Sequence, residues 1–418
     1  MPRILYSLFF ALCLPLILGR LLYRAWRAPA YARRWPERFA IGGDLRPDGI
    51  WVHAVSVGEA IAAAPMVREL LKRHPQLAIT VTCMTPTGSE QIRKLFDDQV
   101  GHAYLPYDLP WLQRRLIRRL RPRIAVIMET ELWPNMVAEC KRAGIPVVLA
   151  NARLSERSAR GYQRVSRLVR PMFAALDWLA VQSAAEAERF VALGARQEAL
   201  AVTGSIKFDL KPPAAVLEGA AQWRGQWGER PVWIAASTHA GEDEIILQAH
   251  QQVLRQHPQA LLILVPRHPE RFDGVARLVQ QSGLSLVRRS SGAQPASSDQ
   301  VFLGDSMGEL LQFYACADVA FVGGSLIAGG GHNYLEPAAL GVPVLSGPHR
   351  FNFTEISDLL EQAGALIEVA DADGMAGQVS QWLRDPALAN TAGNAGQAVV
   401  KANQGALEQL LEGIARLL

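Results

Sequence analysis

From residue 49 onward the chain alternates between two hydrophobic patterns. Short, nearly continuous apolar runs are followed by longer stretches in which apolar residues return every three or four positions. The runs "GIWVHAVS", "LAITVTCM", "HAYLPYD", "RIAVIMET", "IPVVLANA", "WLAVQ" and "LAVTGS" read as buried strands. Helical periodicity fills the gaps at 59–73, 86–96, 109–120, 133–143, 155–176 and 183–193. Apolar strands separated by helices predict a parallel sheet with both faces covered. The alternation pauses over 207–231, where "KFDLKPPAAVLEGAAQWRGQWGERP" carries a Pro-Pro pair and scattered glycines, and is expected to be a linker. A second set of strand-like runs then follows: "VWIAAST", "ALLILVPRH", "LSLVRR", "QVFLGD", "VAFVGGS", "VPVLSG" and "ALIEVA". The expected fold is α/β: two Rossmann-like, doubly wound domains facing a cleft. They would span 25–206 and 231–418, joined by 207–230.

The first residues follow neither pattern. Residues 4–19, "ILYSLFFALCLPLILG", carry no charge, and with Arg20 snorkelling the segment reaches roughly the 20 residues of a bilayer span. Residues 1–24 are therefore expected to be a membrane anchor helix, spanning or, because of Pro15, half-embedded. A cleaved secretory signal fits less well, because Arg20, Arg24 and Arg27 lie between the apolar run and "APA" at 28–30, which mimics a cleavage site. The positive charges cluster after the segment, which predicts that the rest of the chain lies on the cytoplasmic side of the membrane.

Composition narrows the classes. With 418 residues there is material for two cores, and half are hydrophobic. A formal net charge of +4 gives no footprint for nucleic acid. Cys13, Cys83, Cys140 and Cys316 are scattered without metal-binding spacing, and no histidine falls in an HExxH pattern, so neither a disulfide framework nor a metal site is expected. The "DAD" at 371–373 precedes a helical run and reads as a helix cap.

In such domains ligands bind beyond the carboxyl ends of the strands. In the first domain those ends carry Glu59, Glu129, Glu131, Asn151 and Arg153. In the second they carry His239, Arg267, His268, Asp305 to Glu309 and "GGSLIAGGGHNYLEPAALG". Carboxylates suit proton removal or a developing positive charge. Glycine-loop amides and arginine suit a phosphate. Glu59 has a second reading, because Ser56 and Glu59 have capping-box spacing. A basic signal is separate. Arg114, Arg115, Arg118, Arg119, Arg121 and Arg123 are followed by Arg157, Arg160, Arg164 and Arg167, spaced to share one helical face and short of opposite charges. Anionic lipid headgroups or a phosphorylated lipid substrate are the expected partners.

The motifs "HAVSVGE", "TPTGSE", "YLPYDLP", "METELWPN", "NARLS", "VTGSIKFD", "STHAGE", "LVPRHPERF", "FVGGSLIAGGGHNYLEPA" and "GPHRFNF", in this order, closely resemble the bacterial 3-deoxy-D-manno-octulosonic acid (Kdo) transferases. The resemblance implies an inverting glycosyltransferase of the B type, with CMP-Kdo as donor and the tetraacylated disaccharide precursor of lipid A as acceptor, needing no cofactor and no metal. By the same resemblance Glu59 is the general base, and its helix dipole is expected to keep it ionised at neutral pH, at the expense of basicity. Glu129 and Lys207 are the implied transition-state stabilisers. Arg267 and His268, then Met307, Gly308 and Glu309, then Asn333, Tyr334, Leu335 and Glu336, match CMP-binding segments, with Arg267 on phosphate and Glu336 on the ribose. Tyr334 stands where a small or aliphatic residue is common in such loops. The rival readings are a B-type transferase using a UDP-sugar, and a membrane-tethered nucleotide sensor. The sensor has no need for Glu59, Glu129 and Lys207 together.

Overall fold

The computed structural model describes residues 2–418. It contains two compact units, one running to Asp209 and including Gln404–Leu418, the other Leu210–Asn403. Each is built on a parallel seven-stranded sheet, and all fourteen expected strands are present.

The first sheet holds β1 (Ile50–His53), β2 (Ile79–Cys83), β3 (Gly101–Tyr104), β4 (Ile124–Met128), β5 (Val147–Ala152), β6 (Trp178–Val181) and β7 (Leu200–Val202), in the order β3-β2-β1-β4-β5-β6-β7. Its strands lack in-out alternation because both faces are buried. Trp51, Ala125 and Ile127 enter one core, while their neighbours Val52, Val126 and Met128 enter the other. The winding direction reverses between β1 and β4, which makes their carboxyl ends the switch point where ligands bind.

The second sheet holds β8 (Val232–Thr238), β9 (Leu261–Pro266), β10 (Leu286–Arg288), β11 (Val301–Leu303), β12 (Val319–Val322), β13 (Val344–Ser346) and β14 (Leu366–Glu368), in the order β10-β11-β9-β8-β12-β13-β14. Its switch point lies between β8 and β12.

Several expectations need correction. Residues 207–230 are not a plain linker. They include a helix, Ala214–Trp227, whose Trp223 and Trp227 pack edge-on against Phe302, so most of the segment belongs to the second unit. The last helix, Ala406–Leu417, returns to the first unit, where Ala406, Leu410, Leu411 and Ile414 are buried in the core beside β1 and β4. Asp209 fixes its start by accepting hydrogen bonds from the backbone N–H groups of Gly405 and Leu407, both at 2.7 Å. The run 155–176 is two helices, Glu156–Arg164 and Ser166–Ala174, broken at Val165, so Arg157, Arg160, Arg164 and Arg167 do not share one helix. All four are exposed, and none makes an ion pair among the described residues. In the earlier basic stretch, opposite charge arrives from elsewhere in the chain: Arg114 pairs with Glu139 and Arg121 with Asp48.

The N-terminal helix spans Pro2–Arg27, passes through Pro15, and is long and apolar enough to cross a membrane. It is not free of the first unit. Phe10, Ala11, Leu14, Ile17 and Leu18 pack on Tyr107, Leu109 and Leu112, and Ser7 exchanges a hydrogen bond with Asn135. Its opposite side exposes Ile4, Leu5, Leu8, Phe9, Leu12 and Leu16. Cys13 is half-buried, the other three cysteines are buried, and all four are free thiols.

Candidate active site

At the end of β1, Ser56 is extended and begins the helix Val57–Arg73. Its Oγ accepts from the Glu59 backbone N–H at 3.4 Å. Glu59 reaches back: Oε2 accepts from the Val55 N–H at 2.9 Å and Oε1 from the Ser56 hydroxyl at 3.1 Å. The capping reading of Glu59 is therefore correct, and it coexists with a place at the switch point.

The expectation of a firmly ionised Glu59 is not met. Burial pushes its carboxyl up to about 7, against the pull of the Val55 hydrogen bond, and the nearby carboxylates of Glu131 and Glu129 push the same way. Two donors do not offset desolvation when like charges stand alongside. The result is a carboxyl that gives and takes a proton near neutrality, a more basic group than the helix dipole alone would leave.

Glu129 follows β4 with a left-handed backbone, φ +55°. Its N–H donates to the Ala150 carbonyl at 2.9 Å, and its carboxylate pairs with Arg153 at 2.9 Å. Burial, then Glu129, raises Glu131. The adjacent β1, β4 and β5 thus bring Glu59, Glu129, Glu131 and Arg153 to one edge of the first sheet.

Lys207 sits in the turn Ile206–Phe208 after β7. That turn is held by Asn151, another left-handed residue (φ +53°), at the register shift of β5. Asn151 Oδ1 accepts from the Ile206 N–H at 3.2 Å. Ile206 and Phe208 are buried on either side of Lys207, so its backbone is fixed relative to β5, which Arg153 follows.

In the second unit Arg267 and His268 follow β9, Arg267 exposed and His268 half-buried. Met307 and Gly308 are exposed after β11, and Gly308 has φ +88°. Glu309 pairs with Arg289 at 2.7 Å and accepts from the Ser306 hydroxyl at 2.5 Å. After β12, Asn333 donates to Glu336 at 3.2 Å, and burial raises the Glu336 carboxyl. Tyr334 and Leu335 are fully buried, and the Tyr334 hydroxyl bonds Ser346 at 2.8 Å. Their side chains are core, so only their backbone can meet a ligand.

In the glycine-rich loop the amides of Gly324, Ser325 and Leu326 do not stand open for phosphate. Glu242, fully buried, accepts from the N–H groups of Gly324 (2.7 Å), Ser325 (3.0 Å), Leu326 (3.0 Å) and His239 (2.9 Å). Sequence reading missed Glu242. The signal was His239 to Glu242, again with the spacing of a glutamate reaching back over a helix start. The "DAD" reading holds: Asp371 caps the helix Ala372–Arg384 through the Gly374 N–H at 2.8 Å, and Asp373 accepts from Gln252.

Comparison with known proteins fits this arrangement. A family described as "3-Deoxy-D-manno-octulosonic-acid transferase (kdotransferase)" matches residues 33–210, and "Glycosyl transferases group 1" matches 230–399. The chain is 44% identical over 417 residues to the 3-deoxy-D-manno-octulosonic acid transferase of Haemophilus influenzae, covering 99% of this chain and 98% of that one. It is 38% identical over 431 residues to the Bordetella pertussis enzyme of the same name, covering 99% of both. Among solved structures, the UDP-GlcNAc 2-epimerase of Neisseria meningitidis shares the fold with a TM-score of 0.59 at 14% identity, over 88% of this chain and 100% of that one. With two parallel α/β domains of the B type and end-to-end identity to named enzymes, the chain belongs to the 3-deoxy-D-manno-octulosonic acid transferases, glycosyltransferases of lipopolysaccharide synthesis.

Proposed function

We propose that this enzyme moves Kdo from CMP-Kdo to the tetraacylated disaccharide precursor of lipid A, with inversion, at the cytoplasmic face of the inner membrane. Glu59 is the general base. The observation that carries this reading is its carboxyl, oriented by Val55 and Ser56 at the switch point and poised at about 7. A base with a pKa near the working pH combines availability with driving force. Glu59 takes the proton of the attacking sugar hydroxyl as that oxygen bonds the anomeric carbon. Glu129 offsets the positive charge that develops on the sugar ring, and Lys207 the negative charge on phosphate or the Kdo carboxylate. Arg267, His268, Met307, Gly308, Glu309 and the segment Asn333–Glu336 hold CMP, with Glu336 on the ribose hydroxyls. The N-terminal helix and the exposed arginines hold the first unit at the lipid surface that carries the acceptor.

The test is to incubate the purified protein with CMP-Kdo and the lipid A precursor and weigh the products. The expected product is heavier than the acceptor by one or more Kdo units. No mass gain, together with stronger thermal protection by UDP than by CMP, would overturn the reading in favour of a UDP-sugar donor.

A further inference from the structure

Three histidines from three adjacent loops meet in the second unit. His239 follows β8, His268 follows β9, and His332 lies in the glycine-rich loop after β12; these strands are neighbours in the order β9-β8-β12. The Nε2 atoms of His239 and His332 are 2.8 Å apart, with ring planes within 5° and centroids 5.1 Å apart. His268 stands edge-on to His239 at 5.4 Å. Two Nε2 atoms at that distance hold one hydrogen between them, one ring donating and the other accepting. While the bond persists, the pair has room for one extra proton and no more.

The surroundings are positive. Arg267, His268 and Arg271 act on His239, and Arg267 and His268 on His332. Among the described residues, the carboxylate that acts on the pair is Glu242, whose oxygens already accept four backbone N–H groups. Arg271 is tied to Asp243 and to the Thr238 carbonyl. Burial and these cations push His332 down to about 4 and lower His239 as well, so the pair is uncharged at neutral pH. The loop is shaped to seat both rings: a Cβ on Gly324 (φ +70°) would lie 3.1 Å from the His332 ring and 3.5 Å from that of His239. An anion entering here offsets the arginines and favours the protonated pair.

We propose that the His239–His332 pair seats the phosphate of the donor nucleotide and takes up one proton as that phosphate becomes a monoester dianion. This rests on the CMP-Kdo reading. In the transfer, the bond between the phosphate oxygen and the anomeric carbon breaks and its electron pair stays on the phosphate. The acceptor oxygen bonds the anomeric carbon, and its proton goes to Glu59. The phosphate gains one negative charge, and the pair, drawing a proton from solvent, gains one positive charge beside it. The pair therefore binds the departing phosphate more tightly than the esterified one, the preference that lowers the barrier.

The experiment is calorimetric titration of the full-length protein with CMP and with cytidine at pH 7.5, in two buffers of different ionisation enthalpy, for the wild type, His332→Gln and His239→Gln. The wild type is expected to take up close to one proton per CMP and none per cytidine. Each variant should take up none, bind CMP about tenfold more weakly, and keep its cytidine affinity, which also reports an intact fold. Proton uptake unchanged in both variants, or none in the wild type, overturns the inference; if both variants fail to fold, the wild-type proton count decides alone. Failure of the donor reading is seen separately, as UMP binding the wild type at least as tightly as CMP.

Discussion

At Glu59 one carboxylate closes its own helix and faces two others, and these duties act on its proton in opposite directions. The Val55 N–H favours the ionised form; burial, Glu131 and Glu129 favour the protonated one and prevail. Transfer therefore should rise with pH through about 7 as the base is freed. Glu59→Gln should lose transfer by roughly a hundredfold or more while leaving CMP affinity intact, measured by initial rates and calorimetry. Stability carries its own signature. The carboxyl's value is raised from 4.5, so between that pH and about 7 the unfolded chain is ionised while the folded one resists, and stability falls across that window. Gln removes the conflict, so the variant should melt above the wild type at pH 8, by about 2 kcal/mol, and show little gain at pH 4.5; equal melting at both would contradict the burial of this charge. The Ser56–Glu59 spacing was legible in the sequence because a capping box is local. The turn that Asn151 gives Lys207 was not, since Asn151 and Ile206 lie 55 positions apart and nothing in either residue names the other.

Among the elements, helix periodicity placed the first helices within a residue or two, but periodicity says which face a helix buries, not which neighbour it meets. The final helix shows this. Its apolar face, Leu410, Leu411 and Ile414, is buried in the first unit, not in the second unit that the chain has just left. Gly413 is what lets it settle: a Cβ there would come within 2.2 Å of the Trp178 ring. Gly413→Ala should lower stability by about 1–3 kcal/mol, read as a drop in melting temperature, although alanine is the better helix former in isolation. The two arginine-bearing helices, Glu156–Arg164 and Ser166–Ala174, make the opposite case, where a continuous pattern concealed a break at Val165. Because Arg157, Arg160, Arg164 and Arg167 remain exposed, changing all four to Gln should weaken binding of the full-length protein to anionic vesicles and raise the acceptor KM. Each near-surface arginine is worth about 1 kcal/mol at such a leaflet. Vesicle binding equal to the wild type at low salt would reduce these helices to ordinary solvated surface.

For the whole molecule, three buried histidines set the acid limit. His250 accepts from the Trp233 indole at 3.0 Å and donates to the Gln300 carbonyl at 2.9 Å, so a second ring proton would face the indole N–H. His53 and His102 are likewise buried, and burial lowers all three from 6.5 to about 4. The unfolded chain binds their protons below 6.5 while the folded one declines until about 4, so stability is present above that window and lost through it. Chemical-denaturation midpoints should fall steeply between pH 6.5 and 4.5, and replacing His250 with Gln should flatten that fall; an unchanged slope would show that other groups govern it. The two-sheet architecture was legible because parallel strands buried on both faces announce themselves, whereas the unit boundary was not, because the chain leaves the first unit at Asp209 and re-enters it at Gln404. That return has a consequence in time. A ribosome adding about 5–20 residues each second takes tens of seconds to make the second unit. Throughout that interval the nascent first unit lacks Leu410, Leu411 and Ile414, and the surface they will cover beside Trp178 lies open. The earliest part of the enzyme to be made is thus the last to be finished.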